Sequence, residues 1–434
     1  MKYKYSKFNV CVMDDKVFLI FNTMSQSLLE VEKDDYENFK NENVVALDNL
    51  DNETLKLLED LGFIVKDNLS EISLLKDYYW YNKYNDETLN ISILTTLDCN
   101  FRCPYCFETR RNVKLNDDIQ EAIIKFIRKK IVGKKLLHVD WYGGEPLLNK
   151  KVILDLSKQF ENICKENKVE YFGTITTNGL LLTEKISKEL KDAGVKSAQV
   201  TIDSNRESHN KTRILADGSP TYDIILKNIK ASSKYLTIFV RSNVSEETMD
   251  QMDGLLKDLK GIDNVKLSIK GIVPASYKLY NKKLLSPKKF SDKVLNKYFI
   301  AEKMNIKTAI DSFLNNEFHR FCIVDSDSQY IISPDGKIVK CGESYTDNDL
   351  GIIGQYNDET KELEIDENKK IFWDKDPFSY NECLNCKALP LCYGGCQMKR
   401  KVKKEEACSP ELKYNLDKLI LYLYYKSNKG EENV

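Results

Sequence analysis

The residues best suited to chemistry are three cysteines in one short loop, Cys99, Cys103 and Cys106, spaced C-x3-C-x2-C. They directly follow the apolar run 89–94, which predicts a buried strand. Three thiolates can hold three irons of a 4Fe–4S cluster and leave the fourth iron open, whereas electron-carrying ferredoxins supply four cysteines. A zinc knuckle or three structural cysteines is the alternative, although a closed zinc site requires four ligands and no fourth lies nearby.

This motif, with the aromatic Tyr105 before its last cysteine, resembles that of the radical S-adenosylmethionine (radical SAM) enzymes. The resemblance implies an enzyme whose cofactors are SAM and a 4Fe–4S cluster, with the open iron chelating the amino and carboxylate groups of SAM. It also implies that an electron from the cluster cleaves SAM to a 5′-deoxyadenosyl radical, which abstracts a hydrogen atom from a substrate.

Length and composition narrow the class of protein. The 434 residues predict two or three domains, and an apolar fraction of 42% is ample for large cores. A net charge of −1, without a basic block or basic amphipathic helix, argues against nucleic acid or a membrane surface as partner. With no apolar signal region and no apolar run near the membrane-spanning length, we expect a cytoplasmic protein. Twelve cysteines in such a chain indicate metal binding rather than disulfides.

Residues 1–85 are predicted to form a small winged-helix-like module. Its elements are a hairpin over 9–21, helices over 33–39 and 52–61, and a strand at 63–65. The architecture resembles the leader-binding domain of many peptide-modifying radical SAM enzymes, which implies that it binds a precursor peptide by adding a strand to an exposed edge. A packing domain that only covers the barrel is the alternative. The aromatic segment that follows, 76–88, is expected to pack on the next domain.

Over residues 86–310, strand-like apolar runs alternate with helical periodicity. The predicted strands are 90–95, 137–142, 170–176, 198–203, 236–242 and 264–270. The predicted helices are 117–130, 151–166, 183–193, 221–233, 246–260 and 290–304. Six β/α units predict an α/β domain with a parallel sheet, a partial (β/α)6 barrel whose site lies at the carboxyl ends of the strands.

Residues at the ends of the predicted strands agree with the radical SAM resemblance. Gly143 and Gly144 follow the second strand, where glycines let the backbone approach a ligand closely, and Glu145 resembles a clamp on the amino group of SAM. The resemblance also implies SAM contacts for Asn178, Asp203 and Arg213, the last facing the carboxylate. Ser204 follows the aspartate where the family often has glycine.

A second group of seven cysteines lies near the carboxyl terminus: Cys322, Cys341, Cys383, Cys386, Cys392, Cys396 and Cys408. Their spacing, with Gly336 in a predicted turn before the second of them, resembles the SPASM extension of radical SAM enzymes. The resemblance implies a domain over 311–434 with two auxiliary 4Fe–4S clusters. Four of the cysteines would hold one cluster: Cys383, Cys386, Cys392 and Cys408. Three would hold part of the other: Cys322, Cys341 and Cys396. A zinc ribbon is the alternative.

Seven thiols cannot fill eight ligand positions, so we predict one auxiliary cluster with an open iron. We hypothesise that a substrate cysteine binds there while the radical removes a hydrogen from the carbon of a neighbouring residue. The product would be a thioether crosslink with two hydrogens lost. Water, Asp325 or Asp327 is the alternative ligand.

The sequence therefore predicts a radical SAM maturase that crosslinks a ribosomally made precursor peptide, most simply through a cysteine thioether. Its expected partners are that peptide and a reductant such as flavodoxin or ferredoxin. The main alternative is an anaerobic sulfatase-maturing enzyme, which makes formylglycine. That branch usually has an aspartate directly after the second auxiliary cysteine, where this chain has Gly342. Carbon–carbon crosslinking or epimerisation of a peptide is a further alternative, whereas a plain electron carrier has no use for an open iron.

Overall fold

The computed structural model describes residues 2–85, 87–106, 108, 110–272, 285–314, 322, 324–342, 351–374 and 376–428. The chain forms two compact units. The terminal unit contains Met1–Tyr84, Ile310–Cys322 and Lys375–Val434, and the central unit contains Asn85–Ala309 and Ile323–Asp374. In the described part of the chain, no helix is both long and apolar enough to cross a membrane.

The amino-terminal part of the terminal unit combines short strands with helices. The strands are β1 (Tyr3–Tyr5), β2 (Asn9–Met13), β3 (Phe18–Asn22), β4 (Leu28–Val31) and β5 (Ile64–Lys66). The helices are α1 (Lys33–Lys40), α2 (Val44–Asp48), α3 (Asn52–Asp60) and α4 (Glu71–Tyr84). Strands β2, β3 and β4 form an antiparallel sheet in that order, and β1 pairs with β5. The predicted hairpin, helices and closing strand are present, while β1, β4 and α2 lie outside the prediction.

The central unit is built on one sheet whose middle is parallel. Six strands lie side by side in chain order: β6 (Thr88–Leu94), β7 (Leu136–Tyr142), β8 (Glu170–Thr177), β9 (Val195–Thr201), β10 (Thr237–Val244) and β11 (Val265–Gly271). The helices are α5 (Asp117–Lys130), α6 (Lys150–Asn167), α7 (Glu184–Asp192), α8 (Arg206–Thr212), α9 (Tyr222–Ser232), α10 (Glu246–Asp250), α11 (Asp253–Leu259) and α12 (Pro287–Lys303). All six predicted strands are present and parallel, which confirms the α/β fold.

One predicted helix is wrong in detail, because the segment 246–260 forms two helices. Gln251 ends α10 with φ −94° and ψ 4°, outside the helical region. Its side-chain oxygen accepts a hydrogen bond from the hydroxyl of Ser208. This contact with a residue distant in sequence is absent from the local periodicity, which predicts one continuous helix.

The sheet extends beyond the six predicted strands on both sides. Strand β12 (Lys307–Thr308) pairs with β11, and β13 (Gln329–Ile332) pairs in parallel with β6. Three antiparallel strands continue from β13: β14 (Lys337–Val339), β15 (Ile352–Asn357) and β16 (Glu362–Ile365). A short helix, α13 (Glu367–Phe372), follows. Strands from the sequence after residue 322 thus complete the same sheet as the β/α units.

Successive side chains of the parallel strands point to opposite faces of the sheet. In β7, Val139 and Trp141 are fully buried, and Trp141 stacks on Phe160 of α6 with ring centroids 5.9 Å apart. On the opposite side of the strand, His138 is only half-buried, and its Nε2 lies 3.1 Å from the hydroxyl of Thr174 in β8. One face therefore packs on helices, and the other face is polar and partly open to solvent.

The aromatic helix α4 packs on the cysteine-rich segment of its own unit. That segment carries α14 (Asn381–Leu384), α15 (Leu389–Cys392), α16 (Pro410–Tyr414) and α17 (Leu416–Asn428). Tyr79 of α4 is fully buried and stacks on Tyr393 with centroids 5.3 Å apart and planes at 24°. Tyr79 also meets Phe378 edge-on at 5.8 Å and shares a core cluster with Cys383. The expectation that the segment 76–88 packs on the next domain in the chain is therefore wrong for Tyr79, because its contacts are long-range.

We expect Tyr79→Ala to lower the free energy of unfolding of the terminal unit by about 3–5 kcal/mol, the usual effect of truncating a buried aromatic side chain. The matched control is Tyr81→Ala in the same helix, because that residue is 66% exposed and its truncation should change stability by less than about 0.5 kcal/mol. Anaerobic urea unfolding measures both variants. Equal free energies of unfolding for the two variants would show that Tyr79 does not hold α4 against the cysteine-rich segment.

Candidate active site

The loop with the first three cysteines lies at the carboxyl end of β6 and is tied to the segment after α8. Phe101 forms an antiparallel bridge with Leu215. The N–H of Cys106 donates to the carbonyl of Cys103 at 3.1 Å and closes the C-x2-C turn. The loop is therefore fixed at its middle and at its end, as expected from its position after the first parallel strand.

Two glycines after β7 make the closest backbone approach to this loop. Gly143 has φ +128°, and a Cβ on it would lie 2.3 Å from the carbonyl oxygen of Thr96. A Cβ on Gly144 would lie 2.4 Å from the carbonyl oxygen of Asp98. The N–H groups of Gly144 and Glu145 donate to these two carbonyls at 3.0 and 2.9 Å. The close approach in the structure is to the protein's own cysteine loop, and contact with a ligand remains a prediction.

Glu145 is completely buried and bridges the ends of β7 and β8. Its Oε1 accepts from the Thr177 hydroxyl at 2.7 Å and from the Leu147 N–H at 3.1 Å, and its Oε2 accepts from the Asn178 N–H at 2.7 Å. Burial raises the pKa of Glu145, while these hydrogen bonds and Arg213 lower it. Because a carboxylate offers about four acceptor positions, Glu145 retains capacity for a further donor.

Asn178 links the end of β8 to the cysteine loop. Its Nδ2 donates to the side-chain oxygen of Asn100 at 2.7 Å and lies 3.9 Å from the sulfur of Cys99. Desolvation, the Glu145 charge and the other two loop cysteines together raise the pKa of Cys99 to about 12. Burial likewise raises the pKa of Cys106 to about 11. Thiols with pKa values raised in this way ionise readily only beside a cation, as in a metal cluster.

Arg213, Tyr105 and Asp203 form a buried charged network beside the loop. Arg213 Nη1 donates to the Tyr105 hydroxyl at 3.0 Å, and that hydroxyl donates to the Asp203 carboxylate. Burial raises the pKa of Asp203, and the Arg213 charge opposes this. The guanidinium carbon also lies 5.4 Å from the ring centroid of Phe101. Within the part of the chain that the structure describes, the buried Nε of Arg213 has no hydrogen-bond partner. The network thus presents an unsatisfied cationic donor close to the cysteines.

The residues around Asp203 explain the departure from glycine at the next position. Ser204 has φ +39°, in the left-handed region that glycine favours. Its hydroxyl donates to the Thr248 carbonyl at 2.6 Å, and its N–H donates to the Ser242 hydroxyl at 3.1 Å. The N–H of Asp203 donates to Nδ1 of His209, a buried histidine whose pKa burial lowers well below its ordinary value. His209 therefore acts as a neutral acceptor that orients Asp203.

The carboxyl-terminal cysteines repeat the turn seen in the first loop. The N–H of Cys386 donates to the carbonyl of Cys383 at 3.0 Å. Burial raises the pKa of Cys383 and of Cys408, and the Cys386 thiol raises both further. Three of the four cysteines assigned to one auxiliary cluster are thus near one another.

Two consecutive glycines shape the loop 392–396. Gly394 and Gly395 have φ +78° and +72°, and a Cβ on Gly395 would lie 2.0 Å from the carbonyl oxygen of Ala407. The N–H of Cys396 donates to that carbonyl at 2.9 Å. The loop is therefore pressed against the residue before the last cysteine. This role was not predicted from the sequence, although the Gly-Gly pair directly before Cys396 is a usable signal.

The other auxiliary set is predicted to contain Cys322, Cys341 and Cys396. Cys341 is buried, whereas Cys322 and Cys396 are half-buried. The turn predicted around Gly336 is confirmed, since this residue has φ +77° and its N–H donates to the Ser333 carbonyl at 3.0 Å. Among the described residues, no three His, Cys, Asp or Glu side chains are arranged as a metal site. All the cluster ligand sets therefore remain predictions.

Comparison with known families and proteins agrees with these features. Residues 93–259 match the model of the Radical SAM superfamily. The radical SAM cyclopropyl synthase TigE of Paramaledivibacter caminithermalis is 25% identical over 428 residues, covering 89% of this chain and 84% of that protein. A cysteine-type anaerobic sulfatase-maturating enzyme of Clostridium novyi is 25% identical over 328 residues, covering 69% of this chain and 85% of that protein.

Two solved structures share the fold. Native anSMEcpe with bound AdoMet and Cp18Cys peptide aligns with a TM-score of 0.60 and 19% identity, over 80% of this chain and 100% of that one. Streptococcus suis SuiB bound to the precursor peptide SuiA aligns with a TM-score of 0.51 and 15% identity, over 93% of this chain and 98% of that one. At these identities the likeness shows the architecture alone.

We expect Gly143→Ala to displace the cysteine loop, because its Cβ would meet the Thr96 carbonyl at 2.3 Å. The reconstituted variant should hold about four fewer irons per chain than the wild type, the content of one 4Fe–4S cluster. Gly133→Ala is the matched control, since Gly133 also has a positive φ, +78°, but nothing lies within 4 Å of an added Cβ. Full iron content in Gly143→Ala would contradict the role assigned to this contact.

Proposed function

This chain is a radical SAM enzyme, and from that premise we propose that it matures a ribosomally made precursor peptide by forming a crosslink, most simply a cysteine thioether. The observation that carries the proposal is the cysteine loop after β6, which the glycines after β7 fix in place and the buried Arg213 network flanks. The seven further cysteines and the amino-terminal module direct the proposal toward a peptide.

We propose that Cys99, Cys103 and Cys106 hold a 4Fe–4S cluster, which when bound supplies the electron that cleaves SAM. The donor set fits, because these are thiols of one loop, and the raised pKa values of Cys99 and Cys106 disfavour ionisation without a cation. Arg213 is assigned to the SAM carboxylate, since its buried Nε lacks a partner among the described residues. Glu145 is assigned to the SAM ammonium group.

The remaining site residues act by position in this proposal. Tyr105 and Asp203 hold Arg213, and Asn178 holds the cysteine loop through Asn100. Gly143 and Gly144 set the distance between the loop and the end of β7. Each of these groups therefore orients SAM or its cluster and leaves the chemistry to the radical.

Two auxiliary 4Fe–4S clusters are part of the proposal. One is assigned to Cys383, Cys386, Cys392 and Cys408, and the other to Cys322, Cys341 and Cys396. The Cys386 thiol raises the pKa values of Cys383 and Cys408, which supports that assignment. The eighth ligand position suits a soft donor such as a substrate thiolate. Asp327, an alternative ligand, already forms an ion pair with Lys370 at 3.4 Å.

A peptide substrate is supported by two neighbours in fold, since the structures of anSMEcpe and SuiB were solved with peptides bound. We assign residues 1–85 as the leader-binding, winged-helix-like domain, 86–310 as the partial barrel and 311–434 as the SPASM domain. Among the residues that the structure describes, strands β2 and β4 are the outer strands of their sheet, so a leader strand can be added at an edge. A cytoplasmic setting with a flavodoxin or ferredoxin reductant completes the proposal.

Two other reactions have specific support. The relative TigE, which aligns with 89% of this chain, is named a cyclopropyl synthase, and this favours carbon–carbon bond formation. The Clostridium novyi relative is named a sulfatase-maturating enzyme. Gly342 counts against the second reaction, because the sulfatase-maturing branch usually has an aspartate at that position.

The test is an anaerobic incubation of the reconstituted enzyme with SAM, dithionite and candidate cysteine-containing precursor peptides. We expect 5′-deoxyadenosine, and a peptide that loses two hydrogens, keeps its sulfur and no longer reacts with iodoacetamide at the crosslinked cysteine. Cys103→Ala is the control and should give neither product.

The alternatives give different peptides in the same incubation. Loss of two hydrogens with the thiol still reactive indicates a carbon–carbon bond, and loss of sulfur indicates formylglycine. The absence of 5′-deoxyadenosine from a fully reconstituted enzyme would contradict the proposal as a whole.

A further inference from the structure

Arg400 lies between the last two cysteines of the chain, in a short π-helical turn, Met398–Lys403. Its side chain is 15% exposed, although the residues on either side of it are lysines. Single π-helical turns are rare and occur often at functional sites. The position therefore merits a physical explanation.

Four contacts fix the guanidinium of Arg400, all within the terminal unit. Nη1 donates to Glu382 Oε1 at 2.6 Å, and Nη2 donates to the Gly394 carbonyl at 3.1 Å. The guanidinium carbon lies 4.0 Å from the ring centroid of Tyr380, so the plane is held by an aromatic face. The fourth contact brings Nη2 to 3.6 Å from the sulfur of Cys383. A planar cation is thus aimed at one sulfur.

The charges of Arg400 and Glu382 do not cancel at the sulfur of Cys383. The side chain of Glu382 is 65% exposed and screened by water, whereas Cys383 is 5% exposed and Arg400 lies over it. Hydrogen bonds to ligand sulfurs and nearby charge set the reduction potential of an iron–sulfur cluster. A donated N–H stabilises the sulfur more when the cluster carries the extra electron, and so raises the potential.

We propose that Arg400 is a positioning residue that raises the reduction potential of the auxiliary cluster bound by Cys383, Cys386, Cys392 and Cys408. This inference rests on the cluster assignment made in the proposed function. In this proposal, the cluster accepts an electron during the crosslinking reaction. Bond formation between a substrate carbon radical and a thiolate releases one electron, and the thiol proton passes to solvent. A cluster of raised potential is the better acceptor for that electron.

The experiment is an EPR-monitored redox titration of the full chain without peptide. It uses the Cys99/Cys103/Cys106→Ala background, so that only the auxiliary clusters contribute signals. Arg400→Gln removes the charge and the stacked plane, and we expect one midpoint potential to become more negative with iron content unchanged. Arg400→Lys keeps the positive charge but lacks the planar guanidinium group, and it should shift the midpoint potential less in the same direction.

Arg128→Gln is the matched control, because it also breaks an arginine–glutamate pair at 2.6 Å, here with the exposed Glu166 on helix α6. It should leave every potential unchanged. An unchanged potential in Arg400→Gln with full iron would overturn the proposal. Loss of iron from both Arg400 variants would also overturn it, since Arg400 would then only hold the loop. Failure of the parent protein to bind auxiliary iron would refute the cluster assignment itself, and iron analysis detects that separately.

Discussion

The site depends on one contact between two backbones. The turn after β7 and the cysteine loop after β6 share two hydrogen bonds, from Gly144 and Glu145 to the carbonyls of Thr96 and Asp98. Those bonds exist only because Gly143 and Gly144 carry no side chain, since a Cβ would lie 2.3 or 2.4 Å from a carbonyl oxygen. The parallel sheet brings the two strand ends together, and the glycines convert that proximity into a fixed loop.

Around this contact the protein buries an unusual amount of charge. Arg213, Asp203 and Glu145 are 6%, 2% and 0% exposed. Burying such groups is unfavourable unless they are paired and hydrogen-bonded, and breaking one pair leaves its partner uncompensated. The Tyr105 hydroxyl links Arg213 to Asp203, and three donors satisfy Glu145. These bonds fix the side chains in a single geometry. A preorganised polar site of this kind suits a zwitterionic ligand with one carboxylate and one ammonium group.

Local sequence patterns predicted much of the central unit. Alternating or continuous apolar runs predicted all six parallel strands, because a strand buried under helices requires apolar residues at most of its positions. They did not find β13 to β16 as continuations of the same sheet, since pairing between β6 and β13 joins residues more than 200 positions apart. The break at Gln251 and the burial of Tyr79 against Tyr393 were missed for the same reason.

The candidate site shows the same division between local and long-range information. The cysteines were found from their spacing, whereas the roles of the glycine–glutamate run and Arg213 were found from the resemblance to the radical SAM family. The supporting contacts were not, because Asn100 bonds Asn178 and Arg400 bonds Cys383, and local sequence patterns do not connect these residues. The terminal unit joins the amino-terminal module to the auxiliary cysteines, since Lys7 donates to the Leu384 carbonyl at 2.9 Å and Thr23 to that of Lys387.

The most direct test of the account is the iron and sulfide content per chain after anaerobic reconstitution, in the wild type and in Cys99/Cys103/Cys106→Ala. We predict about twelve irons in the wild type and about eight in the variant, because the protein would hold one SAM-binding cluster and two auxiliary clusters. About four irons falling to none, with zinc retained, would instead make the carboxyl-terminal cysteines a structural zinc domain. That result would contradict both the open-iron mechanism and the role of Arg400.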